Sequence, residues 1–209
     1  EISPTEFIPI AEELGLVARI GADVLRKACK DAASWPAHID LAVNVSPVQL
    51  LDPRLPQTVA QALADSGLSP SRLELEITET ALLNNDEAAL RTLTQIRDLG
   101  VRISLDDFGT GYSSLSYLHR FPISRIKIDK SFVQKLPDDV GSASIVRAIA
   151  QLGSSLSMKI TAEGIETDSQ LSFIKEHGCD EVQGFLTGRP IALADFLVLT
   201  GHQAENVEA

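Results

Sequence analysis

The chain has 209 residues, 44% hydrophobic and 22% charged, with 18 basic against 29 acidic side chains and a net charge of −11. That length supports one packed domain without covalent staples, and apolar residues recurring along it exclude a disordered chain. Two distant cysteines, Cys29 and Cys179, exclude a disulfide framework or Cys-based zinc site and point to a reducing compartment, while the acidic balance argues against binding of DNA or RNA polymers.

No run reaches the ~18–20 apolar residues of a membrane-spanning helix. The opening Glu1-Ile2-Ser3-Pro4 has neither the basic nor the apolar region of a signal peptide. It also lacks an initiator Met, which reads as a piece of a longer or processed chain. Ser3 is a candidate N-cap, with Pro4 at the first helical position and Glu6 three residues after the cap. Phe7, Ile8, Ile10, Ala11, Leu14 and Leu16 follow at helical spacing. Gly15 and the region of Gly21 are expected to break or bend this helix before a second one over 22–33. Apolar, partly β-branched residues predict a strand over 41–45, and a helix over 55–64 ends near Gly67. A strand over 73–78 places Leu73, Leu75 and Ile77 on one face. A helix over 86–99 is closed by Gly100, and a strand over 101–105 runs into Asp106-Asp107. There follow a helical piece at 113–118, a strand at 125–128, a helix at 142–156 and a strand at 158–162. A helix at 167–177 with Gly178 at its end, a short strand at 181–183 and a helix at 193–199 complete the domain, spanning 1–200. Residues 201–209 read as a polar tail.

Alternation of helices with apolar strands predicts an α/β fold with a parallel sheet covered by helices. The six strands read here suit either an open doubly wound sheet or a (β/α)8 barrel two of whose strands lie outside the chain.

Polar groups stand at or just past the C-terminal end of each predicted strand: Asn44, Glu76, Asp106 with Asp107, Lys127, Glu163 and Gln183. In a barrel these ends ring one mouth, where active sites are built. The four carboxylates and the Asn oxygen form a hard, all-oxygen set suited to Mg²⁺ or Mn²⁺, with Ca²⁺ as a larger competitor. Adjacent Asp106 and Asp107 would repel unless cations intervene, as two shared metal ions do; a turn capping the next helix is the plainer reading of the pair. The glycine-containing loop 107–114 reads as a mobile lid or as an ordinary strand-to-helix turn. Lys127, inside an apolar strand, needs a partner: the carboxylates, or Asp129 at a sheet edge.

The stretches NVSP (44–47), LELEITET (73–80), SLDDFGTGYSSLSYL (104–118), IKIDKSFV (126–133), TAEGIET (161–167) and GCDEVQGF (178–185), with the entry SPTEFIPIAEELGL (3–16), resemble the EAL domain in order and spacing. The resemblance covers essentially the whole chain. It implies a modified TIM barrel that hydrolyses the bacterial messenger cyclic di-GMP to linear pGpG with two Mg²⁺ or Mn²⁺ ions; for such an all-oxygen set Ca²⁺, which tolerates looser geometry and higher coordination, is expected to inhibit. Carried over by motif, Asn44, Glu76, Asp106, Asp107 and Glu163 are metal ligands. Lys127 holds the attacking water or a phosphate oxygen, and Glu163 is also the candidate base. Glu79 and Glu166 support the site and anchor the lid after Asp107, and Gln183 completes the floor. The Glu-Ala-Leu motif itself is expected shortly before Ile2, so the chain reads as beginning after the first two strands. On that reading residues 1–209 alone are poorly soluble or an inactive binder of cyclic di-GMP. A non-catalytic receptor or regulatory domain is the runner-up. The resemblance further implies a bacterial cytoplasmic location, a possible homodimer and a parent protein with other signalling domains.

Overall fold

The computed structural model describes residues 2–83, 86–110 and 115–200. Helices α1 (Pro4–Glu13) and α2 (Val17–Ala33) lead into strand β1 (Leu41–Val45), followed by a short α3 (Pro47–Leu50) and α4 (Leu55–Ser66). Strand β2 (Leu73–Thr78) is followed by α5 (Glu79–Leu83) and α6 (Asp86–Asp98), and β3 (Arg102–Phe108) by α7 (Leu115–Arg120). Then come β4 (Arg125–Ile128), α8 (Lys130–Val133) and α9 (Val140–Ser155), β5 (Lys159–Glu163) with α10 (Asp168–Glu176), and β6 (Glu181–Gln183) with α11 (Leu193–Leu199).

The six strands form one parallel sheet whose spatial order equals chain order, from β1 to β6. That order, with helical connections between successive strands, is the curled wall of a (β/α) barrel rather than a doubly wound sheet, in which the order reverses. The described strands make part of the ring, and β1 and β6 are its two edges.

Strand periodicity divides the wall into two faces. Leu73, Leu75, Ile77, Ile103, Leu105, Ile126, Ile128 and Ile160 are buried in one core with Val59 and Ala62 of α4, Leu93 and Ile96 of α6, and Val146 and Ile149 of α9. Each such aliphatic side chain contributes roughly 1.5–3 kcal/mol by leaving water. The alternate positions are polar yet also buried: Glu74, Glu76, Ser104, Arg125, Lys127 and Thr161. These strands therefore carry their hydrophobic core on one face and a charged lining on the other.

Two local expectations need correction. Gly15 does turn the chain, at φ 65°, but Gly21 lies inside α2 and breaks nothing. A Cβ there would meet the Gln49 amide at 1.9 Å, so Gly21 answers a packing demand between α2 and α3. Strand β3 also continues past residue 105 to Phe108, because a register shift against β4 lets it carry both aspartates. The short helices α3, α5 and α8 escaped the apolar pattern, and α3 and α8 are set by local capping. Ser46 and Gln49 form a reciprocal capping box for α3, and Asp129 caps α8 at the Ser131 N–H. The predicted start of the helical piece at 113–114, most of the lid (111–114) and the tail 201–209 lie outside the described residues. No described helix is long and apolar enough to cross a membrane.

Candidate metal and active site

Lys127 is the centre of the polar mouth. Its neighbours Ile126 and Ile128 point into the helix-side core, so strand alternation turns Lys127 to the inner face, where it is 4% exposed. An ammonium buried there requires partners, and three strands supply them. Its Nζ lies 2.8 Å from Glu76 Oε1 on β2, 3.2 Å from Asp106 Oδ1 on β3 and 2.6 Å from Glu163 Oε1 on β5. Asp129 is not its partner.

The electrostatics follow from crowding and burial. Burial pulls the Lys127 ammonium toward deprotonation, but the hydrogen bonds it donates to Glu163 and Glu76 hold its pKa well above the ordinary lysine value. Burial raises the Glu76 and Glu163 carboxyls above the usual range; Lys127 opposes the rise, and repulsion from Asp106 adds to it.

Asp106 and Asp107 are sequence neighbours, and in a regular strand they would face opposite ways. Here the β3 register shift coincides with a left-handed Asp107 at φ 54°, a conformation Asp tolerates better than most residues. The Asp107 N–H donates to Asp106 Oδ1 at 3.1 Å. One carboxylate oxygen from each of Asp106, Asp107 and Glu163 lies within 4.8 Å of the others. Burial and the nearby Asp106 and Asp129 raise the Asp107 carboxyl. Asp129 sits below the usual range; burial works against this, and the hydroxyl and N–H of Ser131 overcome it. Three converging hard oxygens on a half-buried wall fit a small divalent cation, which would relieve their mutual repulsion.

The remaining candidates fall around this centre. Asn44 is exposed on β1, in register with Glu76. Gln183 is exposed on β6, in register with Glu163, and shares a cavity of about 150 Å³ with Glu76 and Lys127. Glu79 is buried, and its Oε2 accepts the Gly109 N–H at 3.4 Å, while its other oxygen is buried without a hydrogen-bond partner among the described residues. Glu79 thus ties down the loop after Asp107 at Gly109. Glu166 is exposed, with its backbone N–H donated to Gln170 Oε1 at 2.8 Å; the lid tip it is expected to anchor lies outside the described residues.

Sequence reasoning missed a second polar ring. Arg125 is buried and paired with Glu74 and Glu181, and Arg102 reaches Asp40 at 2.7 Å. The available signal was the Leu-Glu-Leu-Glu alternation of β2, which places Glu74 beside Glu76 on the inner face. Asp129, next to Asp107, entered the sequence reading only as an alternative partner of Lys127.

Comparison with known proteins matches this architecture. The EAL domain family model covers residues 1–190. The bifunctional diguanylate cyclase/cyclic di-GMP phosphodiesterase MucR of Pseudomonas aeruginosa is 45% identical over 200 residues, covering 94% of this chain and 29% of MucR. The solved PaMucR phosphodiesterase complex with c-di-GMP superposes with a TM-score of 0.90 at 44% identity, over 94% of this chain and 81% of that one. The manganese/cy-diGMP complex of Klebsiella pneumoniae BlrP1 gives a TM-score of 0.77 at 30% identity, over 83% of this chain and 45% of that one. The chain spans about a quarter of the length of the curated relatives it matches. A parallel curled sheet with a carboxylate-rich mouth, matched over nearly all its length, places this chain in the EAL domain family.

Proposed function

We propose that this domain hydrolyses cyclic di-GMP to linear pGpG in a reaction dependent on divalent metal ions. The observation that carries the reading is the convergence of Glu76, Asp106 and Glu163 on the buried Lys127, with Asp107 beside them. The relatives described as phosphodiesterases and as cyclic di-GMP complexes support it.

Asn44, Glu76, Asp106, Asp107 and Glu163 are the residues assigned to hold two Mg²⁺ or Mn²⁺ ions. When bound, such ions lower the pKa of water and neutralise charge on the attacking and leaving oxygens of a phosphodiester. Lys127 provides a fixed positive charge that orients a water or a non-bridging phosphate oxygen. Glu163, held by Lys127 at 2.6 Å, is placed to accept a proton from the attacking water. Gln183 lies across from Glu163 and closes the floor. Glu79 holds the first residues of the loop after Asp107, and Glu166 is assigned to the far side of that lid.

We infer further that strands outside residues 1–209 close the ring between β6 and β1, whose outer edges lack partners among the described residues. The domain is read as one output module of a larger bacterial signalling protein working in the cytoplasm, with homodimerisation an additional expectation. The test is incubation of the full protein with cyclic di-GMP and separation of products by chromatography. Cleavage to pGpG in Mg²⁺ or Mn²⁺, suppressed by Ca²⁺ and abolished by excess EDTA, is the expected outcome. Tight binding without pGpG makes the domain a receptor instead, and neither binding nor cleavage rejects both readings.

A further inference from the structure

On each of four strands, a polar residue stands two positions before a proposed site residue and on the same inner face. Glu74 precedes Glu76 on β2, Arg125 precedes Lys127 on β4, Thr161 precedes Glu163 on β5 and Glu181 precedes Gln183 on β6. Arg125 joins this lower ring together. Its Nε donates to Glu74 at 3.1 Å, its Nη1 to Thr161 Oγ1 at 2.8 Å and its Nη2 to Glu181 Oε1 at 3.0 Å. Nη1 also reaches the second Glu181 oxygen, so that pair is a fork. One planar guanidinium, 7% exposed, therefore spans from β2 to β6.

Stability alone does not account for this group. Buried ion pairs contribute little net stability, because desolvation offsets their attraction, and apolar side chains of similar volume hold a fold as well. What the fork adds is geometry. We propose that Arg125 is a positioning residue for the phosphodiesterase reaction. It clamps β2, β5 and β6 to β4, and so sets the spacing at which Glu76, Glu163 and Gln183 meet Lys127. The inference rests on the phosphodiesterase reading of the mouth above it. Residues i and i+2 on a strand lie roughly 6.6 Å apart, so a splay in the lower ring reaches the upper one almost undiminished. Lys127 makes its contacts over only 2.6 to 3.2 Å, leaving no slack for such a shift.

The test uses Arg125→Lys and Thr161→Val in the full protein. Lysine keeps the charge but has no planar fork to span three strands. Thr161→Val removes one hydrogen bond and leaves both ion pairs. Arg125→Lys is expected to melt cooperatively and keep KM for cyclic di-GMP within about threefold, with kcat at saturating Mn²⁺ lowered by about tenfold or more. Its Mn²⁺ affinity, read by electron paramagnetic resonance without substrate, is expected to weaken by about tenfold. Thr161→Val is expected to move both readouts the same way by about threefold. A folded Arg125→Lys protein with kcat and Mn²⁺ affinity within twofold of the parent overturns the proposal. Where Arg125→Lys does not fold, Thr161→Val decides, and parental values of both quantities overturn it. A parent protein that binds Mn²⁺ but does not cleave cyclic di-GMP rejects the phosphodiesterase reading alone, and the Mn²⁺ arm still judges the clamp.

Discussion

Lys127 stands to Glu163 as an internal counter-ion: its Nζ lies 2.6 Å from Glu163 Oε1, and both groups are largely withdrawn from solvent. Glu76 and Asp106 share the same ammonium at 2.8 and 3.2 Å. Removing the ammonium leaves three carboxylates facing one another. Lys127→Met should therefore destabilise the metal-free protein by about 3–5 kcal/mol, the usual cost of breaking a buried pair from one side. Mn²⁺ should restore much of that loss, and turnover should stay at least ~10²-fold down, since the fixed charge proposed to orient the water or phosphate oxygen is gone. Thermal melts with and without Mn²⁺ check the first part, and an equal loss in both conditions would contradict it.

The raised carboxyls of Glu76 and Glu163 give the metal response a direction in pH. Their folded-state pKa values lie above the ordinary carboxylate value of about 4.3. The stability they contribute is thus fully present below that value and lost as pH rises through the folded-state values. Cations replace the protons, so the rise in Tm produced by Mn²⁺ should be small near pH 5 and grow toward pH 8. A Mn²⁺ increment that is the same at both ends would remove the carboxyls from metal binding.

Roles within the acidic set separate by kinetics. Glu163→Gln should cut kcat by about 10³-fold while cyclic di-GMP binding survives, because a base acts mainly in the transition state. Asp106→Asn should also weaken Mn²⁺ binding, measured by calorimetry, because the ligand loses its charge. Near-normal turnover in Glu163→Gln would exclude it as the base.

Gly184 tests how β6 is seated. A Cβ on Gly184 would lie 2.1 Å from the Ile165 carbonyl oxygen and 2.3 Å from its N. Backbone atoms cannot rotate away as a side-chain tip does. Gly184→Ala should therefore destabilise the domain by about 3 kcal/mol, at the upper end of overpacking costs. Denaturant unfolding measures this; an unchanged midpoint would mean that the loop after β6 relaxes freely.

The sequence reading reached furthest where one residue type settles one position. The strands at 73–78, 125–128 and 181–183 appear with the expected bounds, because apolar residues alternating with polar ones at period two leave few other solutions. Polar groups at the strand ends likewise marked the mouth. The ring beneath stayed hidden because Arg125 meets partners 36 to 56 positions away in the chain. No local pattern pairs Glu74 with Arg125, and a buried arginine looks in sequence like any strand-edge cation. Gly21 misled for a related reason: its effect lies in its distance to Gln49, not in its own propensity to end a helix.

The division of the strands into an apolar outer face and a charged inner face has an evolutionary consequence. Folding free energy comes chiefly from positions such as Leu75, Leu105 and Ile126, whereas chemistry is assigned to Glu76, Asp106 and Lys127, their neighbours in the chain. Neutral drift can therefore remove a carboxylate from the mouth, and with it the proposed turnover, without dissolving the scaffold, whereas loss of Lys127 would cost stability as well. A descendant that kept the mouth but lost a carboxylate would persist as a folded sensor, so the step from enzyme to listener is short in this architecture.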